Sequence, residues 1–333
     1  MRLALAFVIL AAIVAAAPAD AGLRPLKITI AAKSPLYAPY FIALDKGYYA
    51  EEGLDAQLIE LAGGVATPAL LSGTVDVSTS AASALGAIMR RAPLKVVYTM
   101  ADRLPDQLWA SRPALKTLTD LKGLTVGVAS RGDSYEIALR SALEGAGLPQ
   151  DWVGYTPLGF AASVRLAALI SGSLPAVMIT PISLAPARAG GSLDKCCHLM
   201  IDFVKSLRLP YTGAVVSDRL LRDDPKTVEG FLRATIKGVR YALALEPQTE
   251  AVLEKHNPGM DPQVIAEGYR ETVPTMTKIG TASDDLILID LKARAATLGM
   301  DPKSLPPISD IYDYTLTRKV TAALDASGWQ PTP

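Results

Sequence analysis

The sequence predicts an α/β chain folded as two similar lobes, and three observations carry that reading. Short apolar runs alternate with stretches of helical periodicity from Leu26 onward. The pattern restarts after Asp120-Leu121-Lys122-Gly123. Leu70-Leu71-Ser72-Gly73-Thr74-Val75 returns as Leu169-Ile170-Ser171-Gly172-Ser173-Leu174, each copy leading into a strand and then a hydroxyl residue.

In order, Leu26–Ala32 reads as a strand. Tyr37, Tyr40, Phe41, Leu44 and Tyr48 then recur at helical spacing, with Gly47 placed as a stop. Leu54–Leu61 is a second strand, followed by Gly63-Gly64 and a helix through Leu71. Val75–Ser78, Leu94–Met100 and Gln107–Ala110 supply further strands. The second unit runs strand Leu124–Ala129, helix Ser134–Gly145, strand Val153–Leu158, helix Ala161–Ile170 and strand Ala176–Thr180. After Tyr211 the character changes. Asp223-Asp224-Pro225 opens a long helix whose face is Val228, Phe231, Leu232, Ile236, Val239 and Leu243, closed by Pro247. These patterns predict one lobe from residues 24–112 plus 211–333 and the other from 113–210.

Composition excludes several classes. Lys and Arg together number 33, as do Asp and Glu, so no basic surplus is available to neutralise nucleic-acid phosphates. With 50% apolar and 20% charged residues the chain has ample material for a core and is not disordered. Cys196 and Cys197 are adjacent, a spacing that disfavours an ordinary disulfide, and they are expected as two thiols beside a strand His198–Phe203. Together with His198 they splay to opposite faces of that strand and cannot close a metal site alone. Residues 1–21 read as a signal peptide: Arg2, the apolar run Leu3 to Ala17, and the Ala19-Asp20-Ala21 cleavage pattern. The apolar run is shorter than the ~20 residues that cross a bilayer. Cleavage after Ala21 and an exported protein are expected.

No G-x-S-x-G, H-E-x-x-H, P-loop or G-x-G-x-x-G occurs, and His198 and His256 are not at ligand spacing. The expectation is therefore no catalytic residues, no metal, no cofactor and no turnover. What stands out is a set of strand-to-helix turns rich in hydroxyls, glycine and aromatics: Lys33-Ser34-Pro35-Leu36-Tyr37, Gly63-Gly64-Val65, Ser78-Thr79-Ser80, Ser130-Arg131-Gly132-Asp133-Ser134 and Thr180-Pro181-Ile182. In open α/β sheets ligands bind beyond the carboxyl ends of the strands, where helix N-termini offer free N–H donors. Ordinary N-capping is the other reading of each turn, and Asp133 with Glu136 has that form.

Gly47-Tyr48-Tyr49-Ala50-Glu51-Glu52-Gly53-Leu54-Asp55 resembles the G-[YF]-[YF]-x-x-E-G-L-[DE] signature of the solute-binding proteins of nitrate, taurine and alkanesulfonate ABC importers. Leu71-Ser72-Gly73-Thr74-Val75-Asp76 and Asp120-Leu121-Lys122-Gly123 before Thr125-Val126-Gly127-Val128 match it too, over a stretch from about Lys27 to Phe231. The resemblance implies a type II-like periplasmic-binding-protein fold: parallel-rich sheets flanked by helices, with a ligand cleft between two lobes. It also implies a periplasmic monomer that hands its ligand to an inner-membrane ABC permease. Carried over by position, first-lobe ligand contacts fall at Ser34, Tyr37, Gly64, Val65, Ser78, Thr79 and Ser80. Second-lobe contacts fall at Ser130, Arg131, Gly132, Asp133, Ser134 and Thr180, with Tyr211 added.

Two departures bear on the ligand. Pro175 stands where the family's S-G-x-x-D-A has its acid, and Asp133 replaces the serine of a G-S turn. An acid there weighs against sulfonate or nitrate, unless Arg131 restores an anion site rather than pairing with Asp133. An organic anion, a sulfonate or carboxylate, ranks first on this reading, a neutral heterocycle second and nitrate behind both. The superfamily also holds a pyrimidine-forming enzyme of thiamine synthesis, so an enzyme of that kind, a pyrimidine-precursor binder and a two-lobe sensor are the alternatives.

Overall fold

The computed structural model describes residues 22–61, 63–159, 161–184, 187–188 and 190–333, so the signal peptide predicted at 1–21 lies outside the described residues. Two five-stranded mixed sheets form the two lobes. In the first, β1 (Arg24–Ile30) pairs in parallel with β2 (Leu54–Glu60), from Arg24↔Leu54 to Ile30↔Glu60, and with β3 (Val77–Ser78). β4 (Leu94–Arg103) is joined to them through the antiparallel β10 (Arg208–Ser217), giving the order β2-β1-β3-β10-β4. In the second sheet β6 (Thr125–Val128) lies between β7 (Gly154–Pro157) and β8 (Ala176–Ile179), both parallel to it. The antiparallel β5 (Gln107–Ala110) and then β9 (His198–Asp202) complete the order β7-β6-β8-β5-β9.

Both faces of the inner strands are covered, which explains why their sequences are unbroken apolar runs. Along β8, Ala176 and Met178 join one buried cluster while Val177 and Ile179 join another. Val96 and Val97 split the same way across the first sheet. The covering helices of the first lobe are α1 (Ala38–Asp45), α2 (Tyr48–Glu51), α3 (Gly63–Ser72) and α4 (Ala81–Met89). Those of the second include α5 (Ser134–Gly145) and α6 (Ala162–Ile170). Gly47 ends α1 in the left-handed region at φ 72°, where a side chain would be strained.

Four sequence expectations need correction. Gln107–Ala110 belongs to the second sheet, not to a first-lobe segment reaching residue 112, because Pro105 interrupts the strand and the chain crosses at Leu104–Asp106. The return crossing comes before Tyr211: β10 already pairs Arg208 with Arg103. Pro247 does not close the long helix. That helix, Pro225–Ala244, ends earlier, and Pro247 sits in the first turn of the next, Glu246–His256, where a missing N–H costs nothing. Cys196 and Cys197 are joined in a disulfide rather than standing as thiols.

The C-terminal third also reaches both lobes rather than the first alone. Helix Pro225–Ala244 packs on α1, with Tyr40 stacked on Phe231 at 6.5 Å between ring centroids. Helix Pro262–Thr272 places Gly268 against both Pro35 and Ile182, and helix Asp284–Leu298 sends Ala293 into the second lobe's core.

The α1 crossing is close enough to test. A Cβ on Gly238 would stand 2.1 Å from the Pro39 carbonyl oxygen, backbone that cannot yield. Gly238→Ala should therefore lower unfolding free energy by roughly 2 kcal/mol or more in chemical denaturation. Gly86→Ala, whose Cβ would meet Leu298 at an ordinary 3.6 Å, should be neutral or stabilising by up to about 1 kcal/mol.

Candidate functional site

The carboxyl ends of β1 and β3 face those of β6 and β8 across a cleft made of three adjoining chambers. The central one, about 180 Å³, is walled by Tyr37, Ser80, Asp133, Ser134, Tyr135 and Tyr211 among others. Through Tyr37, Tyr135 and Tyr211 it adjoins a second of about 320 Å³, reached also by Ser34, Arg165, Thr180 and Glu271. Through Ser83 and Asp133 it adjoins a third of about 380 Å³, which holds Gly64, Ser130, Arg131, Gly132 and Arg294.

Eleven of the fourteen residues singled out from the sequence thus meet in one cleft. The other three do not. Ser78 and Thr79 are wholly buried: Ser78 Oγ accepts from the Ser80 amide at 3.3 Å, and Thr79 Oγ1 donates to the Thr29 carbonyl at 2.7 Å. Ser78 ends β3 and Thr79 follows it, and packing on the sheet's two covered faces encloses both. Val65 stands on the surface at 56% exposure in the first turn of α3, outside the chambers.

The wall built by α5 is electrostatically full. Asp133 is its N-cap, accepting from the Glu136 amide at 2.9 Å and the Ser130 amide at 2.7 Å. Burial pushes its carboxyl above the usual range, with Glu136 adding to the rise and the amide hydrogen bonds opposing it. Glu136 is fully buried and accepts from Arg131 at 2.9 and 3.1 Å, from Arg140 at 2.9 and 2.7 Å and from the Gly132 amide at 2.9 Å. Arg131 therefore pairs with Glu136, neither with Asp133 nor with open space. The helix end that suited an anion already holds the chain's own two carboxylates.

The other guanidinium groups of the cleft are engaged as well. Arg294 donates to Asp290 at 2.8 Å and to the Ala82 carbonyl at 2.9 Å. Arg165 donates to the Gly159 carbonyl and, at 3.4 Å, to the Tyr135 hydroxyl, and its guanidinium lies 5.0 Å from the Tyr135 ring centroid. Burial pushes Tyr37 up to about 12 despite hydrogen bonds involving Ala31, Thr212 and Thr79. It raises Tyr135 and Tyr211 further, helped by the charge of Asp106. All three phenols stay neutral and can donate.

Asp106 escaped the sequence reading. It lies in the first crossing, directly after the cleft residue Pro105, and is fully buried, with neither carboxyl oxygen finding a hydrogen-bond partner among the described residues. Desolvation pushes it up to about 8, with Asp133 adding to the rise and Arg165 opposing it. The available signal was an acid enclosed between the apolar runs of β4 and β5. Arg165 and Thr212 were missed too, being spread along elements with no local motif.

Residues 34–250 match the family described as NMT1/THI5 like, about two thirds of the chain. The chain belongs to the NMT1/THI5-like family. A curated relative, the riboflavin-binding protein RibY of Chloroflexus aurantiacus, is 29% identical over 218 residues, 62% of this chain and 59% of that protein. Among solved structures it is similar to the periplasmic aliphatic sulphonate binding protein SsuA of Escherichia coli, with TM-score 0.67, 18% identity and 93% of each chain covered. It is also similar to the periplasmic nitrate-binding protein NrtA of Synechocystis, with TM-score 0.66, 12% identity, 94% of this chain and 92% of that one covered. This NMT1/THI5-like chain has the two-lobe α/β fold of periplasmic binding proteins.

A carboxyl that holds its proton more tightly folded than unfolded is a stabilising group at low pH. That contribution is lost as pH rises from the ordinary 3.8 through about 8. Asp106→Asn should therefore raise the melting temperature by several degrees at pH 8 and by much less at pH 5. Equal shifts at the two pH values would show that Asp106 is already ionised in the ligand-free fold.

Proposed function

We propose that this chain is the solute-binding component of an ABC importer, exported to the periplasm and delivering a flat, uncharged heterocycle to an inner-membrane permease as a monomer. The observation that carries the ligand class is the central chamber, where Tyr37, Tyr135 and Tyr211 converge beside Asp133. Tyrosine supplies an apolar face for a ring and a polar tip for its edge. The charge pattern turns the ranking expected from sequence around. Asp133 walls the chamber and Arg131 is spent on Glu136, so an anion finds an acid and an already paired guanidinium where it needed a partner. The likeness to a riboflavin-binding relative supports a fused-ring ligand, and the sulphonate- and nitrate-binding neighbours support the transport role. Binding without turnover fits a cleft in which, among the described residues, hydroxyls, tyrosines and capped acids converge without a nucleophile–base pair.

Riboflavin, lumichrome, an aminopyrimidine, taurine and nitrate form the decisive thermal-shift panel. A micromolar binder at millimolar concentration adds about 4 kcal/mol through mass action. The ring compounds should shift the melting point and be recovered unchanged. Tyr211→Ala should weaken their binding at least about tenfold, and Arg131→Ala should leave it within threefold. Stabilisation by taurine or nitrate alone, or recovery of a reaction product, would overturn the reading.

A further inference from the structure

We propose that Asp106 is the specificity-determining residue of the cleft, its carboxyl pairing with the edge of a flat ring on which an N–H stands beside a carbonyl. The assignment rests on the heterocycle reading above and names the group that reads the ring's edge.

The Asp106 backbone carbonyl accepts from the Phe203 amide at 3.1 Å, so the residue ties one interlobe crossing to the other. Its side chain is the anomaly. Buried polar atoms are nearly always hydrogen bonded, and a native structure that leaves two oxygens of one group orphaned calls for a missing partner. Among the described residues the neighbouring elements make no hydrogen bond to the Asp106 carboxyl. On α6, Arg165 gives its two terminal nitrogens to the Gly159 carbonyl and Tyr135, and its buried Nε, like the Asp106 oxygens, has no hydrogen-bond partner among the described residues. On α5, Asp133 is committed to two amides and repels a second charge. Tyr135 of α5 and Tyr211 of β10 feel the Asp106 charge without donating to it.

Pro105, Tyr135, Arg165 and Tyr211 are at once neighbours of Asp106 and walls of the second chamber. Asp106 itself lies behind these walls, so the pairing requires one of these side chains to turn aside when a ring enters the chamber. A protonated carboxyl carries a donor and an acceptor side by side. A lactam or imide edge presents the complementary acceptor and donor, and two hydrogen bonds then satisfy both orphaned oxygens at once. Burial holds the proton on Asp106 near neutral pH, which is the form this pairing needs. A carboxylate ligand, which offers acceptors only, would satisfy just one of the two oxygens.

Lumiflavin, which has the N–H beside a carbonyl, and its N3-methyl derivative, which lacks it, test the assignment by fluorescence titration. The wild type should bind lumiflavin at least about tenfold tighter than the methylated ring. Asp106→Asn keeps a donor and an acceptor in the same place, so it should keep that preference. Asp106→Leu should bind the two equally, with a melting curve showing that it folds. Wild-type affinity for lumiflavin should hold from pH 5 to 7 and fall as Asp106 ionises above about 8. Asp106→Asn should remove that fall, and Asp133→Asn should not. Equal binding of the two rings by the wild type, or a preference surviving in Asp106→Leu, would overturn the role of Asp106 alone. Failure of either ring to bind any variant would overturn the flavin-type heterocycle reading and this assignment with it.

Discussion

Each sheet is completed by a strand that the chain brings from the other lobe, and the cleft exists because of that exchange. β5 follows β4 out of the first sheet and takes the fourth place in the second; β10 follows β9 out of the second and takes the fourth place in the first. Both run against the four other strands of their sheet. The crossings therefore lie side by side: Arg208 pairs with Arg103 at one margin and Gln107 with Asp202 at the other. An ion pair between Arg208 and Asp102 ties the same margin. Between these fixed margins the two sheets present the carboxyl ends of their parallel strands to each other. The helix-opening turns of both lobes have nowhere else to point.

The C-terminal helices act on this arrangement from the sides. Helix Pro262–Thr272 is wedged between the Pro35 turn of one lobe and Ile182 of the other, and its Glu271 pairs with Arg188 of the second lobe at 3.6 Å. Helix Asp284–Leu298 carries Arg294 and Thr297 into the third chamber beside Arg131 and Gly132. Lobe separation has to break or slide these contacts as well as open the crossings. Such contacts between domains of one chain are of the kind that permits relative motion.

Element type was largely legible because the periodicities are strong. Helix Ser134–Gly145 and strand Gln107–Ala110 have the ends read from sequence, and the repeat at Ser72 and Ser171 has a physical basis. In each copy the serine hydroxyl donates back to a helix carbonyl, of Ala69 or Ala168, and meets the hydroxyl at Thr74 or Ser173. The following strands, β3 and β8, occupy the same third place in their sheets. What stayed hidden depended on partners far away in sequence. β10 carries Pro210 and Gly213, which argue against a strand. The pairing register skips between Arg208 and Thr212, accommodating the proline, and a Cβ at Gly213 would stand 1.9 Å from the Tyr98 carbonyl oxygen. Of the site, the turns that begin helices were visible as local motifs. Asp106 and Arg165 acquire meaning only once two lobes close around them.

The α5 N-terminus shows how a shared fold hosts different ligands. A helix start facing a cleft is an anion site by default, since its free amides and dipole end favour negative charge. Here Asp133 takes the Ser130 and Glu136 amides and Glu136 takes that of Gly132, while two arginines close over Glu136 from both sides. An incoming anion would have to displace a fully buried carboxylate from five charge-assisted contacts, leaving that charge without partners. Breaking a buried pair in this way costs ~3–5 kcal/mol, more than one exposed replacement contact returns. The cap is thus a specificity device working by exclusion: it removes the charge-based route to affinity. What remains for recognition is ring area against tyrosine and the paired donors and acceptors at a neutral edge.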